Sequence, residues 1–257
     1  TKVMAQSSLL ATLNHEGTIT TFYGSSALQQ AHAAAEEGDV VTLSSGTFAS
    51  ENITKAITLR GAGMTLDANT NTEPTVLAND FSINIPNEST KRLTIEGIYS
   101  NQKITIKSLK NALFLKDRMY YIDVDNSTTL AKDLTFIHCR ITYRYYGYDN
   151  SNNSATFKNC IVSEIYGINY IFHNCIIRYS NSNSGRNLCY NSEYKNCIIT
   201  HYLTGSAPTS STYYYNMFIG TDTNNLASIP NKTNINVNRE EDKIKNLLTY
   251  SDDNDYK

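Results

Sequence analysis

Four stretches of this chain align on one another without a gap: Phe136-Ile-His-Cys-Arg-Ile141, Phe157-Lys-Asn-Cys-Ile-Val162, Phe172-His-Asn-Cys-Ile-Ile177 and Tyr194-Lys-Asn-Cys-Ile-Ile199. A fifth, Tyr214-Tyr-Asn-Met-Phe-Ile219, keeps the pattern with Met in place of Cys. The leading aromatic residues are 21, 15, 22 and 20 positions apart. Leu115 lies 21 before Phe136, Ile95 lies 20 before Leu115, and Leu59 and Leu43 open similar units. A unit near 20 residues has no room for a helix and cannot bury an apolar face by itself. Successive units must therefore stack as the coils of a β-solenoid.

Composition agrees with many short strands joined by tight bends. The 257 residues include 30 Asn, 29 Thr and 19 Tyr but only four Pro. Asn suits bends, while Thr and Tyr suit strands. Charged residues are 18% and the formal net charge is −2, so no single-sign field points to nucleic acid or an anionic membrane. The apolar runs are too short for a membrane-spanning helix. The predicted fold is all-β, a right-handed parallel β-helix with a short N-terminal capping helix. One domain is expected over 1–257, with the cap and first coil over 18–48 and coils over 49–220. A C-terminal extension over 221–257 is expected to pack on the solenoid.

The repeat carries its own register. Residues i and i+2 of a strand share a face, so Leu134 and Phe136, or Ala155 and Phe157, point inward together. An Asn column inside an apolar core would need partners for every amide, whereas at a bend stacked amides can bond one another and the turn backbone. The spacing predicts an Asn ladder of Asn159, Asn174, Asn196 and Asn216, entered by His138, with Gly61, Gly97 and Asp117 in the same place earlier. The bend resets the phase and turns Cys139, Cys160, Cys175 and Cys197 inward, with Ile141, Val162, Ile177 and Ile199 beside them. Ile161, Ile176, Ile198 and Phe218 then point outward as an apolar stripe. A stripe of that kind needs a cover. The candidates are the C-terminal residues Ile235, Val237, Ile244, Leu247 and Leu248, or a protein partner at this flank.

Five cysteines cannot form a complete set of internal disulfides. Four of them, one coil apart, would stand about 4.8 Å from one another in a row. Tetrahedral zinc needs ligands that converge on a point. No metal or other cofactor is expected there, and buried Cys serves as a small hydrophobe. Cys189 lies off the repeat.

At the other end, Ser26 to Gly38 reads as a helix that covers the open cross-section of the first coil. Ser26 with Gln29 forms a candidate capping box and Gly38 a stop, with Leu28, Ala31, Ala34 and Ala35 on one face and His32 on the surface. The run Gly24-Ser-Ser-Ala-Leu28, Gly38-Asp-Val-Val-Thr-Leu43, Gly46-Thr-Phe48 and Ile57-Thr-Leu-Arg-Gly-Ala-Gly63 resembles the opening of secreted right-handed parallel β-helix proteins of the pectate-lyase-like superfamily. The resemblance covers residues 18 to 220 as architecture. It implies a capping helix and an association with polysaccharide; fold alone transfers no activity.

The chemistry of the sequence is less defined. The polygalacturonase-like signatures, an Asn-Thr-Asp strand, an Asp-Asp pair in the repeat, Gly-His-Gly and Arg-Ile-Lys, are absent. Asp252-Asp253 lies in the tail. Asp123 and Asp125 alternate on a strand-like segment, as a solvated edge more than a calcium site. Outward positions between the aromatic and the Asn hold Lys116, Ile137, Lys158, His173, Lys195 and Tyr215. Lys158, His173 and Lys195 form a basic line that would track an acidic polysaccharide, against the plainer reading of solvated lysines that deter edge pairing. Tyr143, Arg144 and Tyr145, with Tyr146 and Tyr148, form a second ligand-binding candidate whose rings would stack on sugars or pack on their own coil. No catalytic residue is assigned. The expected function is glycan binding by a secreted, periplasmic or cell-surface protein. A lyase or glycoside hydrolase with an unfamiliar site, and a structural or adhesive surface protein, are the alternatives. Val3 and Ala5 fit the −3 and −1 positions of a signal-peptidase site that would cut after Ala5, the tail of an export signal whose basic and hydrophobic regions are absent here, against the plainer reading of an ordinary frayed terminus.

Overall fold

The computed structural model describes residues 9–66, 72–125, 130–148, 152–178, 189–200, 210–219 and 234–237. Among these the chain winds as a parallel β-solenoid of about seven turns. The first sheet stacks Val40–Leu43, Thr58–Arg60 and Leu93–Glu96 on the end of Ile98–Leu115, then Ala131–Ile137, Ala155–Lys158, Tyr170–His173, Glu193–Lys195 and Thr212–Tyr214. The second begins at Gly46–Phe48 and ends at Ile235–Val237. A third face joins Phe81–Asn84 to the middle of Ile98–Leu115 and to the ends of Arg118–Val124 and Arg140–Tyr146.

The core is a set of columns. Phe114, Phe136, Phe157, Phe172, Tyr194 and Tyr213 stack in register at ring separations of 4.6, 4.8, 5.0, 4.8 and 5.2 Å. These distances match the spacing of hydrogen-bonded strands, so each coil adds one ring to the pile. Tyr145 and Tyr170 meet the pile edge-on. Cys139, Cys160, Cys175 and Cys197 form the neighbouring inner column, all buried and free. Ile141, Val162, Ile177 and Ile199 are buried beside them.

From Gly97 onward the bend between the first and second sheets has one backbone solution; Gly61, in register with Gly97, does not share it. Gly97, Lys116, His138, Asn159, Asn174, Asn196 and Tyr215 all take positive φ, at 68, 54, 54, 53, 55, 53 and 57°. Asn is the side chain that tolerates this left-handed region best after Gly. Its amides bond along the axis: Asn174 Nδ2 donates to Asn159 Oδ1 at 3.2 Å and Asn196 Nδ2 to Asn174 Oδ1 at 3.3 Å. His138 Nε2 lies 3.1 Å from Asn159 Nδ2. This asparagine ladder faces solvent, so the bend conformation, and not burial of the amide, selects the residue.

Five expected positions move by one residue. Phe114, not Leu115, joins the aromatic pile, and Tyr213, not Tyr214, continues it. Asn216 therefore leaves the solvent ladder and enters the inner column above Cys197, while Tyr215 takes the bend. Asp117 likewise lies in the inner column, between Ile98 and Cys139, with Lys116 at the bend. Phe218 is 1% exposed and points inward; Met217 takes its place in the outward stripe with Ile161, Ile176 and Ile198, all half-buried. Ile235 and Val237 belong to a further parallel strand on Met217–Ile219, not to a cover on the flank. Ile244, Leu247 and Leu248 lie outside the described residues.

Strand β1 (Leu10–His15) and strand β2 (Thr18–Tyr23) form an antiparallel hairpin, and β1 continues antiparallel onto β3 (Val40–Leu43). Helix α1 (Ala27–Ala34) packs Leu28 and Ala31 on the first coil; Ala35 is buried and Ala34 is exposed. The capping box does not form. Gln29 Nε2 instead donates to the Ala49 and Ser50 carbonyls, and Gln30 Nε2 donates to Ser26 Oγ. Lys55 Nζ closes the other end of α1 by donating to the His32, Ala33 and Ala35 carbonyls at 2.9, 2.9 and 2.6 Å. A cation there meets the negative end of the helix. His32 is buried, not exposed, and its Nε2 accepts the Thr54 N–H at 3.2 Å.

Candidate functional site

Two groups of outward residues were candidates for ligand contact, and they occupy different faces. Lys158, His173 and Lys195 stand in register on the first sheet. The lysines are exposed, but His173 Nε2 is 2.7 Å from Glu193 Oε1, so the line carries an acid as well as bases. Tyr143 and Arg144 lie at the corner between the second and third faces. Tyr145 is fully buried in the core, its ring edge-on to Phe136 and Phe157. It supports the corner from beneath and cannot itself touch a ligand.

The corner turns because three consecutive residues point outward. Ile141 and Tyr145 are both buried, and Thr142, Tyr143 and Arg144 bridge them on the convex side. The ladder shifts register there: Met119 pairs with Ile141, but Tyr121 pairs with Arg144. The next coil toward the N-terminus turns the same corner through Tyr120. The exposed rings of Tyr120 and Tyr143, at 43% and 41% exposure, stack at 5.2 Å. Tyr121 meets Tyr143 edge-on at 5.6 Å.

Below the corner two outward rows run across successive coils, one over three and the other over four. Lys103, Tyr121 and Arg144 form one; Thr105, Asp123, Tyr146 and Tyr166 form the other. The Arg144 guanidinium lies 5.2 Å from the Tyr143 ring centre and 5.6 Å from that of Tyr146. Its Nε is 2.7 Å from Glu164 Oε2, whose side chain is almost wholly buried. Tyr146 stacks on Tyr166 at 4.7 Å and meets Tyr148 edge-on at 4.4 Å. A guanidinium held between rings and anchored by a buried carboxylate loses little freedom when it binds.

Electrostatics set Asp123 apart. Burial pushes its carboxyl above the ordinary range, opposed by Lys103, whose Nζ is 3.7 Å from Oδ2, and by the Tyr121 hydroxyl. Asp123 Oδ1 is buried with no hydrogen-bond partner. Burial and then the Asp123 charge push the Tyr121 phenol up to about 12. Among the described residues no group of three or more His, Cys, Asp or Glu side chains converges to hold a metal, and Asp123 and Asp125 share only the outward side of their strand. No described helix is long and apolar enough to cross a membrane.

Comparison with protein-family models, curated proteins and solved structures found no match. The site is therefore defined by its geometry. Tyr120, Tyr121, Glu164 and Tyr166 escaped the sequence reading, although a signal existed. Tyr120 and Tyr121 precede Tyr143 and Arg144 by 23 positions, and Glu164 and Tyr166 follow Arg144 and Tyr146 by 20, each one coil away.

Proposed function

We propose that this protein binds an extended glycan along the corner that carries Tyr120, Tyr143, Tyr121, Arg144, Tyr146 and Tyr166. The observation that carries this reading is a continuous outward array of tyrosines with a fixed guanidinium across successive coils. Phenol groups repeat along the axis beside one guanidinium, as an extended chain of sugars requires, and the exposed rings of Tyr120 and Tyr143 offer apolar faces. Charge at the corner is nearly balanced by Asp123 and Glu164. Preference for an acidic polysaccharide rests instead on Lys158, His173 and Lys195, on the other face. The resemblance to exported right-handed β-helix proteins of the pectate-lyase-like superfamily supports a secreted, periplasmic or cell-surface location.

A glycan array tests this reading, followed by titration of any hit with Tyr143→Ala and with Lys158→Gln/Lys195→Gln. Loss of affinity in Tyr143→Ala supports the corner; loss only in the lysine variant moves the site to the first sheet. No hit on neutral or acidic glycans would sink the proposal. One observation favours a second reading, a lyase or hydrolase. A carboxyl with raised proton affinity beside a phenol and an ammonium, Asp123 with Tyr121 and Lys103, is the kind of group that general acid–base chemistry uses. Product analysis on a hit, with Asp123→Asn as comparison, separates binding from cleavage.

A further inference from the structure

We infer that strand β2 is the docking edge for a second copy of this chain, joined by antiparallel pairing about a two-fold axis at Thr21. Among the described residues β2 pairs with β1 alone, so its other side ends the first sheet. An open edge offers a row of N–H and C=O groups to another strand, and proteins usually blunt such edges with Lys, Pro or a bulge. β2 reads Thr-Ile-Thr-Thr-Phe-Tyr: six strand-favouring residues with no charge, no proline and an unbroken register against β1. Ile19 and Tyr23 are 67% and 65% exposed and share a face with Thr21.

The hydrogen-bond parity shows what fits. Gly24 N–H donates to the Leu9 carbonyl, so Leu9 and Gly24 are a hydrogen-bonded pair of the hairpin. Alternation along an antiparallel ladder then directs the backbone groups of Phe22, Thr20 and Thr18 toward β1. Ser44 N–H donates to the Leu10 carbonyl, which confirms that the even residues of β1 face β3 instead. Ile19, Thr21 and Tyr23 are left with both backbone groups directed at the open edge. A second copy related by a two-fold axis through the Thr21 pair meets all of them at once. Thr21 bonds Thr21 of the second copy twice, and Ile19 exchanges two bonds with Tyr23 of the second copy on each side of the axis. The same register sets each Ile19 side chain against a Tyr23 ring and the two Thr21 side chains against each other, which are favourable cross-strand pairs. A contact related by a two-fold axis is closed, so it stops at two copies. With no charge between 18 and 23, like meets like without repulsion.

Sedimentation velocity of the full chain, with engineered variants, tests the inference. The wild type is expected to be a dimer. Thr21→Pro removes an edge N–H and leaves the bonds to β1 intact; it should yield a monomer with an unchanged urea midpoint. Tyr23→Lys puts two cations across the interface at an exposed position and should also yield a monomer, which keeps the test valid if proline unfolds the hairpin. Thr21→Cys should form an interchain disulfide under mild oxidation, because Cα atoms in a hydrogen-bonded pair are about 5.5 Å apart. Thr20→Cys, opposite Phe22 of the second copy, should not. A monomeric wild type, a dimer that survives both Thr21→Pro and Tyr23→Lys, or equal crosslinking of the two cysteine variants would overturn the inference.

Discussion

Asn216 sits directly on Cys197 in the inner column, and its Oδ1 accepts the Cys197 N–H at 2.9 Å. Its Nδ2 donates to the Tyr194 carbonyl at 2.9 Å, the aromatic position of the preceding coil. Asn234 repeats this toward Tyr213 at 3.1 Å. Each thiol points at the equivalent carbonyl: Cys139 at Phe114, Cys160 at Phe136, Cys175 at Phe157 and Cys197 at Phe172, at 3.3, 3.4, 3.3 and 3.4 Å. The cysteines are thus weak donors in a hydrogen-bonding column as well as small apolar residues, and amide and thiol solve one local problem.

Exchange within this column should be tolerated. Cys197→Asn is expected to shift stability by less than about 1 kcal/mol, since its amide finds the Phe172 carbonyl. Cys175→Ser should likewise be mild, because the Phe157 and His173 carbonyls both lie within reach of a donor at 175. Cys197→Leu, which overfills the column, should cost about 1–3 kcal/mol. Urea unfolding of the three variants checks this ordering.

Asp117 should give a pH signature. Its carboxyl is wholly buried and accepts the Ile98 and Leu115 N–H groups at 2.8 and 3.0 Å, yet burial outweighs those bonds and raises its proton affinity well above normal. The folded state then holds the proton more tightly than the unfolded state. Its stability contribution is fully present below the ordinary carboxyl range near pH 4 and is lost as pH rises through the folded value. Asp117→Asn should flatten that decline. The check is the difference in urea midpoint between wild type and variant at several pH values; a constant difference would mean that Asp117 does not titrate.

Substitution at Asn174 should separate conformation from ladder bonding. Asn174→Gly keeps the positive φ and loses only the amide bonds. Asn174→Leu must hold a branched side chain at a φ of 55°, at an added cost of about 1–2 kcal/mol. The leucine variant should therefore unfold at lower urea than the glycine variant.

The two tyrosines on either side of Arg144 should behave in opposite ways. Tyr145→Ala opens a cavity beside the aromatic pile and should cost about 3–5 kcal/mol. Tyr143→Ala should leave the melting temperature nearly unchanged and act only on ligand binding. Thermal melts of the two variants, beside the glycan titration, decide between a core and a surface role.

The coil, its inner cysteines and three rungs of the ladder were legible because Phe-x-Asn-Cys recurs with one phase. The phase became ambiguous where apolar or aromatic residues run together. Leu113-Phe114-Leu115 and Tyr213-Tyr214-Tyr215 each fit the pattern in more than one register, and the Asn at 216 favoured the wrong one. Only the left-handed turn at Tyr215 resolves it. The corner was hidden for a related reason. Strict alternation makes Tyr143 and Tyr145 equivalent, but a convex corner takes up residues 142 to 144 and restores the inward phase at Tyr145.

The stacked rings also act as a ruler. Between Phe157 and Phe172 the chain spends 15 residues, and between Leu59 and Ile95 it spends 36. Each circuit still returns to the neighbouring strand of the first sheet. Axial pitch is set by strand pairing, while residues added in the return path change only the girth of a coil. A segment can therefore lengthen, shorten or change its chemistry at the corners while the marks on the ruler stay in place, and a binding surface can vary without the fold being renegotiated.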